Sequence, residues 1–162
     1  MANKIFNTDK RIKLGVWGLG RGGDLITCCK ALNIDVVAGC DFNEHIRENF
    51  RKHAPDVFLT ADEDEFLAQD MDAVLVATWF MDHAKHSIKA LNAGKHVMCE
   101  VTSFYTPAEA VALVEAVEKS GKVYNLLENY PFMKPNMIAK KLWDDGLFGE
   151  FLYGEYDYNH DC

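Results

Sequence analysis

Short apolar, partly β-branched runs alternate with helix-periodic segments along most of this chain. Runs such as Ile12 to Trp17, Ile34 to Cys40 and Ala73 to Ala77 are followed by glycine or polar residues, which is typical of buried strands that enter turns. Between them lie segments such as Glu44 to His53, with helical spacing of apolar residues. Strands separated by helices of about ten residues must pair in parallel through crossovers. The sequence therefore predicts an α/β fold with a doubly wound parallel sheet.

A glycine-rich turn joins the first predicted strand to the first helix. Its G-x-G-x-x-G pattern consists of Gly18, Leu19, Gly20, Arg21, Gly22 and Gly23. In this spacing Gly18 allows a tight turn, Gly20 lets a pyrophosphate approach bare backbone, and Gly23 allows close packing of helix on strand. Amides at the helix start then face the phosphates. We predict that all six residues bind a dinucleotide; the alternative is a glycine-rich turn that binds nothing.

Asp41 follows the second predicted strand, roughly 20 residues after the glycine motif. A carboxylate at this place accepts hydrogen bonds from both ribose hydroxyls and repels a 2′-phosphate. We therefore predict NAD, with NADP as the less favoured cofactor. Arg21 has two equally supported interpretations, a phosphate contact and a solvated loop arginine.

The segment from Thr78 to Ala84 follows the fourth predicted strand, at the edge where open α/β sheets bind ligands. We predict that Thr78, Trp79 and His83 belong to the cofactor site, with His83 capping the helix or packing near the nicotinamide side. His83 and His86 have i, i+3 spacing, but no cysteine or carboxylate at matching spacing completes a metal site. We expect no metal, and we expect His86 on the surface.

Charge and hydropathy exclude several classes of partner. The formal net charge is -8 and the basic residues form no long run, so we expect no nucleic acid partner. No apolar stretch approaches the roughly 20 residues that cross a bilayer, and Met1 to Arg11 lacks a signal-peptide core. We expect a cytoplasmic protein without a membrane partner. Its five cysteines contain no C-x-x-C pair and are interpreted as reduced thiols, mostly in the core.

Residues Ala93 to Glu100 (A-G-K-H-V-M-C-E) resemble the A-G-K-H-V-x-x-E signature of the Gfo/Idh/MocA family of NAD(P)-dependent sugar and cyclitol oxidoreductases. With the glycine motif, Asp41, Thr78 and His83, the resemblance runs from the first predicted strand to the end of the chain. It implies an N-terminal Rossmann domain and a larger C-terminal domain, which supplies most of the substrate site and the oligomer interface. It also implies hydride transfer with a sugar-like or cyclitol-like polyol, and places Glu100 near cofactor or substrate.

One residue departs from the family pattern. The family usually continues E-K-P with a lysine that aids proton transfer, whereas Val101 follows Glu100 here, and valine cannot move a proton. The branch resembling NAD-dependent α-N-acetylgalactosaminidases also lacks that lysine. It is similar over Leu127 to Tyr130 and Gly146 to Glu150, and then at Gly154-Glu155 and His160-Asp161. In that branch NAD transiently oxidises a ring carbon, which acidifies the neighbouring proton and permits elimination of the aglycone.

The resemblance makes Glu100, Tyr130 and His160 the candidate catalytic residues. Glu100 ends a strand at the binding edge of the sheet. Tyr130 matches a position near the reactive sugar, with packing at the end of the sixth predicted strand as the alternative. His160 is either catalytic or a frayed terminal residue. The tyrosine and histidine motif that carries the acid and base work in the glycosidase branch would lie beyond Cys162.

We predict a dinucleotide-binding Rossmann domain over residues 1–130 and the beginning of a truncated α+β substrate and oligomerisation domain over residues 131–162. Phe151 to Tyr158 is predicted to be its first strand, and the unpaired edge and its aromatic residues predict a homo-oligomer formed through the C-terminal region. Three functions remain open: an oxidoreductase on a sugar-like polyol, an NAD-dependent glycosidase, and an NAD-binding fragment with little or no activity of its own.

Overall fold

The computed structural model describes residues 8–157 and residue 159. The chain forms two compact units, one ending at Leu127 and the other beginning at Glu128. Each unit is described separately below. The division of function between a cofactor domain over residues 1–130 and a substrate domain over residues 131–162 stays a prediction.

The first unit is built on a six-stranded parallel sheet. Its strands are β1 (Ile12–Trp17), β2 (Ile34–Cys40), β3 (Phe58–Thr60), β4 (Ala73–Val76), β5 (His96–Cys99) and β6 (Tyr124–Leu126). Their order across the sheet is β3-β2-β1-β4-β5-β6, and every neighbouring pair is parallel. The predicted doubly wound sheet is confirmed. The strand order changes direction between β1 and β4, which is where ligands bind in such sheets.

The described residues form six α-helices, five in the first unit and one in the second. They are α1 (Leu19–Leu25), α2 (Glu44–His53), α3 (Glu63–Leu67), α4 (His83–Asn92), α5 (Pro107–Ser120) and α6 (Lys134–Asp144), with 3-10 helices at Ile26–Leu32, Phe80–Asp82 and Tyr130–Phe132. The helix α5 has well-defined ends: Thr106 and Glu109 form a reciprocal capping box, and Gly121 is left-handed with φ of 63°. None of the described helices is long and apolar enough to cross a membrane.

The region between β1 and β2 differs from prediction. The glycine motif is predicted as a turn that joins the first strand to the first helix, but α1 begins at Leu19, inside the motif, and the chain then tightens into a 3-10 helix. Asn33 ends that helix in a left-handed conformation with φ of 56°. The glycines at the start allow α1 to lie close to the sheet, so the helix starts in the turn itself rather than after it.

Apolar side chains cover both faces of the sheet. One core cluster includes Trp17, Phe66, Leu91 and Val97, and the other includes Val16 and further residues of α1, α2 and β4. The strand β4 is buried along its whole length, as a central strand between two helical layers must be. This packing fixes the carboxyl ends of β1, β2, β4 and β5 as one edge from which the candidate site is built.

The second unit contains the 3-10 helix at Tyr130–Phe132 and the helix α6, followed by irregular chain. The prediction that Phe151 to Tyr158 forms a strand is wrong for residues 151–157, which have neither helix nor strand structure; Tyr158 lies outside the described residues. A strand needs a hydrogen-bonded neighbour, and no described segment of this unit supplies one. Large apolar side chains of the unit, including Phe151, Leu152 and Tyr156, are exposed.

Candidate functional site

Gly18 forms the tight turn between β1 and α1. Its φ is 91°, and a Cβ added to it would lie 2.4 Å from the Ala77 carbonyl oxygen and 2.7 Å from the Thr78 amide nitrogen. Both the left-handed backbone and the closeness of the β4 end exclude a side chain here. The glycine turn therefore lies directly against the first residues after β4.

The close contact between α1 and β1 is made by Gly22, not by Gly23 as predicted. A Cβ added to Gly22 would lie 2.5 Å from Val16 Cγ1, a stiff buried side chain, whereas one added to Gly23 would meet Phe50 at an ordinary 3.6 Å. The helix starts at Leu19, and this start turns Gly22 rather than Gly23 toward the strand. The sequence pattern alone does not predict the residue at which the helix starts, and so it does not predict which glycine faces β1.

Gly20 is exposed, and its surroundings fit the approach of a ligand to the backbone. Among the described residues, an added Cβ would meet only Ile46 Cδ1, at 3.8 Å. No protein neighbour therefore demands glycine at this position. The amides of Gly20 and Arg21 lie in the first turn of α1, where a helix has no carbonyl of its own to offer them. These features suit a phosphate group placed over bare backbone.

Asp41 is buried beside the glycine turn, at the end of β2. Its Oδ2 accepts a hydrogen bond of 2.9 Å from the Leu19 amide, and its Oδ1 accepts one of 2.9 Å from the Asn43 amide. Each carboxylate oxygen keeps further acceptor capacity. The arrangement joins the expected phosphate-binding turn to the expected ribose-binding carboxylate, although ribose binding itself stays a prediction.

Arg47 is a neighbour of this site that the sequence analysis missed. Its guanidinium Nη1 donates a hydrogen bond of 2.7 Å to the Asp41 carbonyl oxygen. The residue lies on α2 one turn after Asn43, the N-cap of that helix, so helical periodicity points it back to the end of β2. The spacing of one helical turn between Asn43 and Arg47 is the sequence signal that could have identified Arg47.

Arg21 and Glu100 form an ion pair between the glycine turn and the end of β5. Arg21 Nε lies 2.7 Å from Glu100 Oε1, and the side chains are 54% and 13% exposed. The second Glu100 oxygen accepts a hydrogen bond of 3.1 Å from the Val101 amide. Neither interpretation of Arg21 included this partner. Direct contact of either residue with a cofactor or substrate stays a prediction.

The loop after β4 combines an exposed aromatic residue with a buried histidine. Trp79 is 63% exposed and lies against Phe80, with ring centroids 4.6 Å apart. His83 is fully buried, and its Nδ1 and Nε2 lie 2.7 Å and 3.1 Å from the carbonyl oxygens of Thr102 and Thr78. His83 therefore joins the segments after β4 and β5 from inside the protein.

The ionisation of His83 follows from those contacts. Burial lowers the pKa of His83, but the neighbouring Cys99 sulfur and the carbonyl oxygens of Thr102 and Thr78 outweigh burial and raise the pKa overall. A neutral ring has only one N–H to donate, whereas the charged ring satisfies both carbonyl oxygens. A contact between this ring and a cofactor stays a prediction.

His86 is not a surface residue as predicted. It is buried, its ring stacks on Trp17 with centroids 4.3 Å apart, and Nδ1 lies 2.8 Å from Thr78 Oγ1. The prediction failed because β1 places an aromatic ring beneath this face of α4. Within the described part of the chain, no group of three or more His, Cys, Asp or Glu side chains could hold a metal ion.

A family model described as an oxidoreductase family with an NAD-binding Rossmann fold matches residues 12–127. The chain belongs to this family, Gfo/Idh/MocA. The family resemblance of the sequence is thereby confirmed, and so is NAD as the cofactor class of the matched domain. The preference for NAD over NADP stays a prediction.

Curated relatives are similar to this Gfo/Idh/MocA chain over part of their own length. A glycosyl hydrolase family 109 protein of Solibacter usitatus is 29% identical over 99% of this chain and 40% of its own length. One from Saccharopolyspora erythraea is 28% identical, over 99% of this chain and 38% of its own length. The chain thus spans about two fifths of the length of these relatives.

Solved structures give a similar picture. The scyllo-inositol dehydrogenase of Lactobacillus casei, solved with bound NAD(H) and scyllo-inositol, is 25% identical with a TM-score of 0.79, over 87% of this chain and 43% of the other. An NAD-binding protein of Listeria innocua is 27% identical with the same TM-score, over 87% and 42%. Both agree with the fold assigned to the first unit.

The candidate catalytic residues of this family member lie in different parts of the chain. Val101, at the family's lysine position, is exposed after β5. Tyr130 belongs to the second unit, where its amide donates to Glu128 Oε1 at 2.9 Å and its carbonyl accepts from Asn136 at 2.7 Å. His160 lies outside the described residues. Catalytic roles for Glu100, Tyr130 and His160 stay predictions.

Proposed function

We propose that this chain is the NAD-binding portion of an oxidoreductase that transfers hydride between the cofactor and a sugar-like or cyclitol-like polyol. The observation that carries the proposal is the contact of the Asp41 carboxylate with the Leu19 amide, which joins the end of β2 to the glycine turn. The glycine turn follows β1, one of the two strands between which the strand order changes direction, and this is where doubly wound folds bind ligands. Asp41 lies beside it, at the end of the neighbouring strand β2.

In this proposal, different residues bind different parts of the cofactor. The amides of Gly20 and Arg21 bind the pyrophosphate, with Gly18 and Gly22 setting the shape of the turn. Asp41 accepts hydrogen bonds from the ribose hydroxyls and repels a 2′-phosphate, which favours NAD over NADP. Thr78 and Trp79 extend the site along the loop after β4, and His83 supports that loop. When bound, the nicotinamide supplies the hydride acceptor or donor.

We base the proposed substrate class on what similar proteins bind, and not on a substrate pocket of the first unit. The dehydrogenase of Lactobacillus casei was solved with scyllo-inositol, a polyol of the proposed class. Glu100 is the residue of the first unit that we assign to the substrate side, because it directly follows β5 at the binding edge of the sheet. Tyr130 and His160 are proposed as further groups near the reacting carbon.

An NAD-dependent glycoside hydrolase is the second candidate. Val101 favours it, because the residue cannot carry the proton that the family's lysine handles in alcohol oxidation. The names of the curated relatives, glycosyl hydrolase family 109 proteins, support the same alternative. In this case oxidation of a ring carbon is reversed after the aglycone leaves, so the cofactor returns to its starting state.

Two measurements on the full chain test these functions. Titration calorimetry with NAD and NADP tests cofactor binding, and lack of binding to either cofactor contradicts the proposal. Absorbance of reduced nicotinamide with a panel of sugars and inositols, beside release from chromogenic glycosides, separates the chemistries. Net reduced cofactor identifies a dehydrogenase, and aglycone release without net reduction identifies a glycosidase. NAD binding with neither product identifies a binding fragment that depends on the rest of its protein.

We also propose that the chain acts as a homo-oligomer through its C-terminal region and works in the cytoplasm. The second unit exposes Phe151, Leu152, Tyr153 and Tyr156, and apolar surface of this extent favours association. The unpaired cysteines Cys28, Cys29, Cys40 and Cys99 agree with a reducing compartment. Sedimentation as a monomer with this surface exposed contradicts the oligomer.

A further inference from the structure

Thr78 lies where the proposed cofactor site meets the interior of the first unit. It directly follows Ala77, whose carbonyl oxygen is in close contact with the glycine turn at Gly18. Its side chain is half-buried, and its Oγ1 lies 2.8 Å from His86 Nδ1. The hydroxyl of a threonine can donate one hydrogen bond and accept two, so its direction depends on what His86 offers.

The neighbours of His86 determine which ring nitrogen carries the proton. Its Nε2 lies 3.5 Å from Glu63 Oε1, and a carboxylate oxygen can only accept. A proton on Nε2 is therefore favoured, and Nδ1 keeps a lone pair. Stacking on Trp17, with an interplanar angle of 30°, fixes the plane of the ring. Lys89 Nζ lies 2.8 Å from Glu63 Oε2 and holds that carboxylate in place.

These contacts determine what the Thr78 hydroxyl can offer to a ligand in the site. Nδ1 accepts the hydroxyl proton of Thr78, and the remaining lone pairs of Oγ1 are available to accept. We propose that Glu63 and His86 are positioning residues that keep the Thr78 hydroxyl a hydrogen-bond acceptor, so that the site binds a hydroxyl or amide N–H of the dinucleotide at this point. This inference rests on the proposed function, since it concerns the same cofactor site.

A charged His86 would reverse this direction. With protons on both ring nitrogens, Nδ1 donates to Oγ1, and the Thr78 hydrogen turns away from the ring toward the site. The groups that face the ring are Glu63 on α3, Asp82 in the turn before α4, and Lys85 and His83 on α4. Burial lowers the pKa of His86, and the two carboxylates oppose this only in part. The ring is thus neutral at neutral pH, and acid converts the acceptor into a donor.

Substitutions can separate the hydroxyl, the ring and the charge. Thr78→Val removes the hydroxyl at nearly constant shape, and Thr78→Ser keeps it. His86→Asn keeps an acceptor near the place of Nδ1 without a titrating group, and His86→Phe keeps the stacking but removes the acceptor. His53→Asn, on the exposed end of α2, is the matched control for loss of a histidine.

The first test is the affinity for NAD, measured by calorimetry on the full chain at about pH 5 and about pH 8. The wild type and the Thr78→Ser and His53→Asn variants should bind more weakly at the lower pH. Thr78→Val should bind about fivefold to tenfold more weakly than the wild type at the higher pH, the value of one hydrogen bond. Both this variant and His86→Asn should show a smaller pH dependence than the wild type, and the part that His83 contributes should remain. An unchanged affinity of Thr78→Val, or an unchanged pH slope of His86→Asn, overturns the inference.

The second test needs no cofactor. Nitrogen NMR of the His86 ring at neutral pH should show the proton on Nε2, and a proton on Nδ1 contradicts the assigned direction. His86→Phe serves to identify the signal by its loss. If the wild type binds no NAD, the proposed function fails. If it binds NAD while the ring has the other tautomer, only this inference fails.

Discussion

Asp41 Oδ2 and the Leu19 amide are joined by a hydrogen bond of 2.9 Å, and this bond couples the conformation of the glycine turn to the end of β2. The same carboxylate holds the Asn43 amide at the start of α2. One side chain thus satisfies the first amides of two segments before any ribose is bound. A change at Asp41 should therefore affect both the fold and the cofactor site.

The Asp41→Asn variant should lose stability as well as affinity. Asparagine has one oxygen, so one of the two amides would face an NH2 group, and an unsatisfied buried donor costs about 1–3 kcal/mol. Loss of the charge should weaken NAD binding by roughly tenfold to a hundredfold and reduce discrimination against NADP. Urea unfolding and calorimetry with both cofactors measure the two effects.

Asp24→Asn is the control for Asp41→Asn. Asp24 is exposed on α1, and its substitution removes the same charge near the glycine turn without touching the Leu19 amide. Its stability and its preference between NAD and NADP should stay close to those of the wild type. If Asp41→Asn retains the affinities of the wild type for both cofactors, Asp41 does not recognise the ribose.

Alanine substitutions at Gly22 and Gly23 should differ in their effect on the free energy of unfolding. A Cβ at Gly22 would lie 2.5 Å from the stiff Val16 side chain, and such overpacking costs about 1–3 kcal/mol. A Cβ at Gly23 would make only ordinary contact with Phe50, and alanine is a better helix former than glycine by up to about 1 kcal/mol. Urea unfolding should show Gly22→Ala destabilised and Gly23→Ala unchanged or stabilised. Equal losses would mean that the glycine nearest the strand is wrongly assigned.

The difference between Gly22 and Gly23 shows which features of the fold a sequence pattern can predict and which it cannot. Alternating periodicity predicted the parallel sheet, and the spacing of Asp41 from the glycine motif assigned both to one predicted cofactor site, because both inferences depend on the local rise of strands and helices. The hydrogen bond between Asp41 and the Leu19 amide itself was not predicted. The contact of Gly22 depends on the residue at which α1 starts. The burial of His86 depends on Trp17, which contacts it only because the folded sheet places β1 against α4. Neither is encoded in a short window of sequence.

His83 should stabilise the fold more at low pH than at high pH. Its pKa is raised above the ordinary value of 6.5, so its ionisation adds stability that is fully present below that value and is lost as the pH rises through the folded-state pKa. The His83→Gln variant should therefore lose more unfolding free energy at about pH 5 than at about pH 8. Urea unfolding at both pH values measures this, with His53→Gln as the exposed control. A loss that is the same at both pH values would show that the buried ring is neutral.

The cysteines should differ strongly in reactivity, because only the thiolate attacks an alkylating reagent. Burial, together with the carboxylates of Glu63 and Asp41, raises the pKa of Cys40 to about 12, and burial raises the pKa of Cys29 to about 11, while Cys28 is exposed. At about pH 8, iodoacetamide should modify Cys28 much faster than Cys29 or Cys40, as followed by peptide mass spectrometry. In urea all three should react at similar rates, which controls for intrinsic differences. Fast modification of Cys40 in the folded chain would show that the end of β2, next to Asp41, opens readily to solvent and cannot hold the carboxylate in one place.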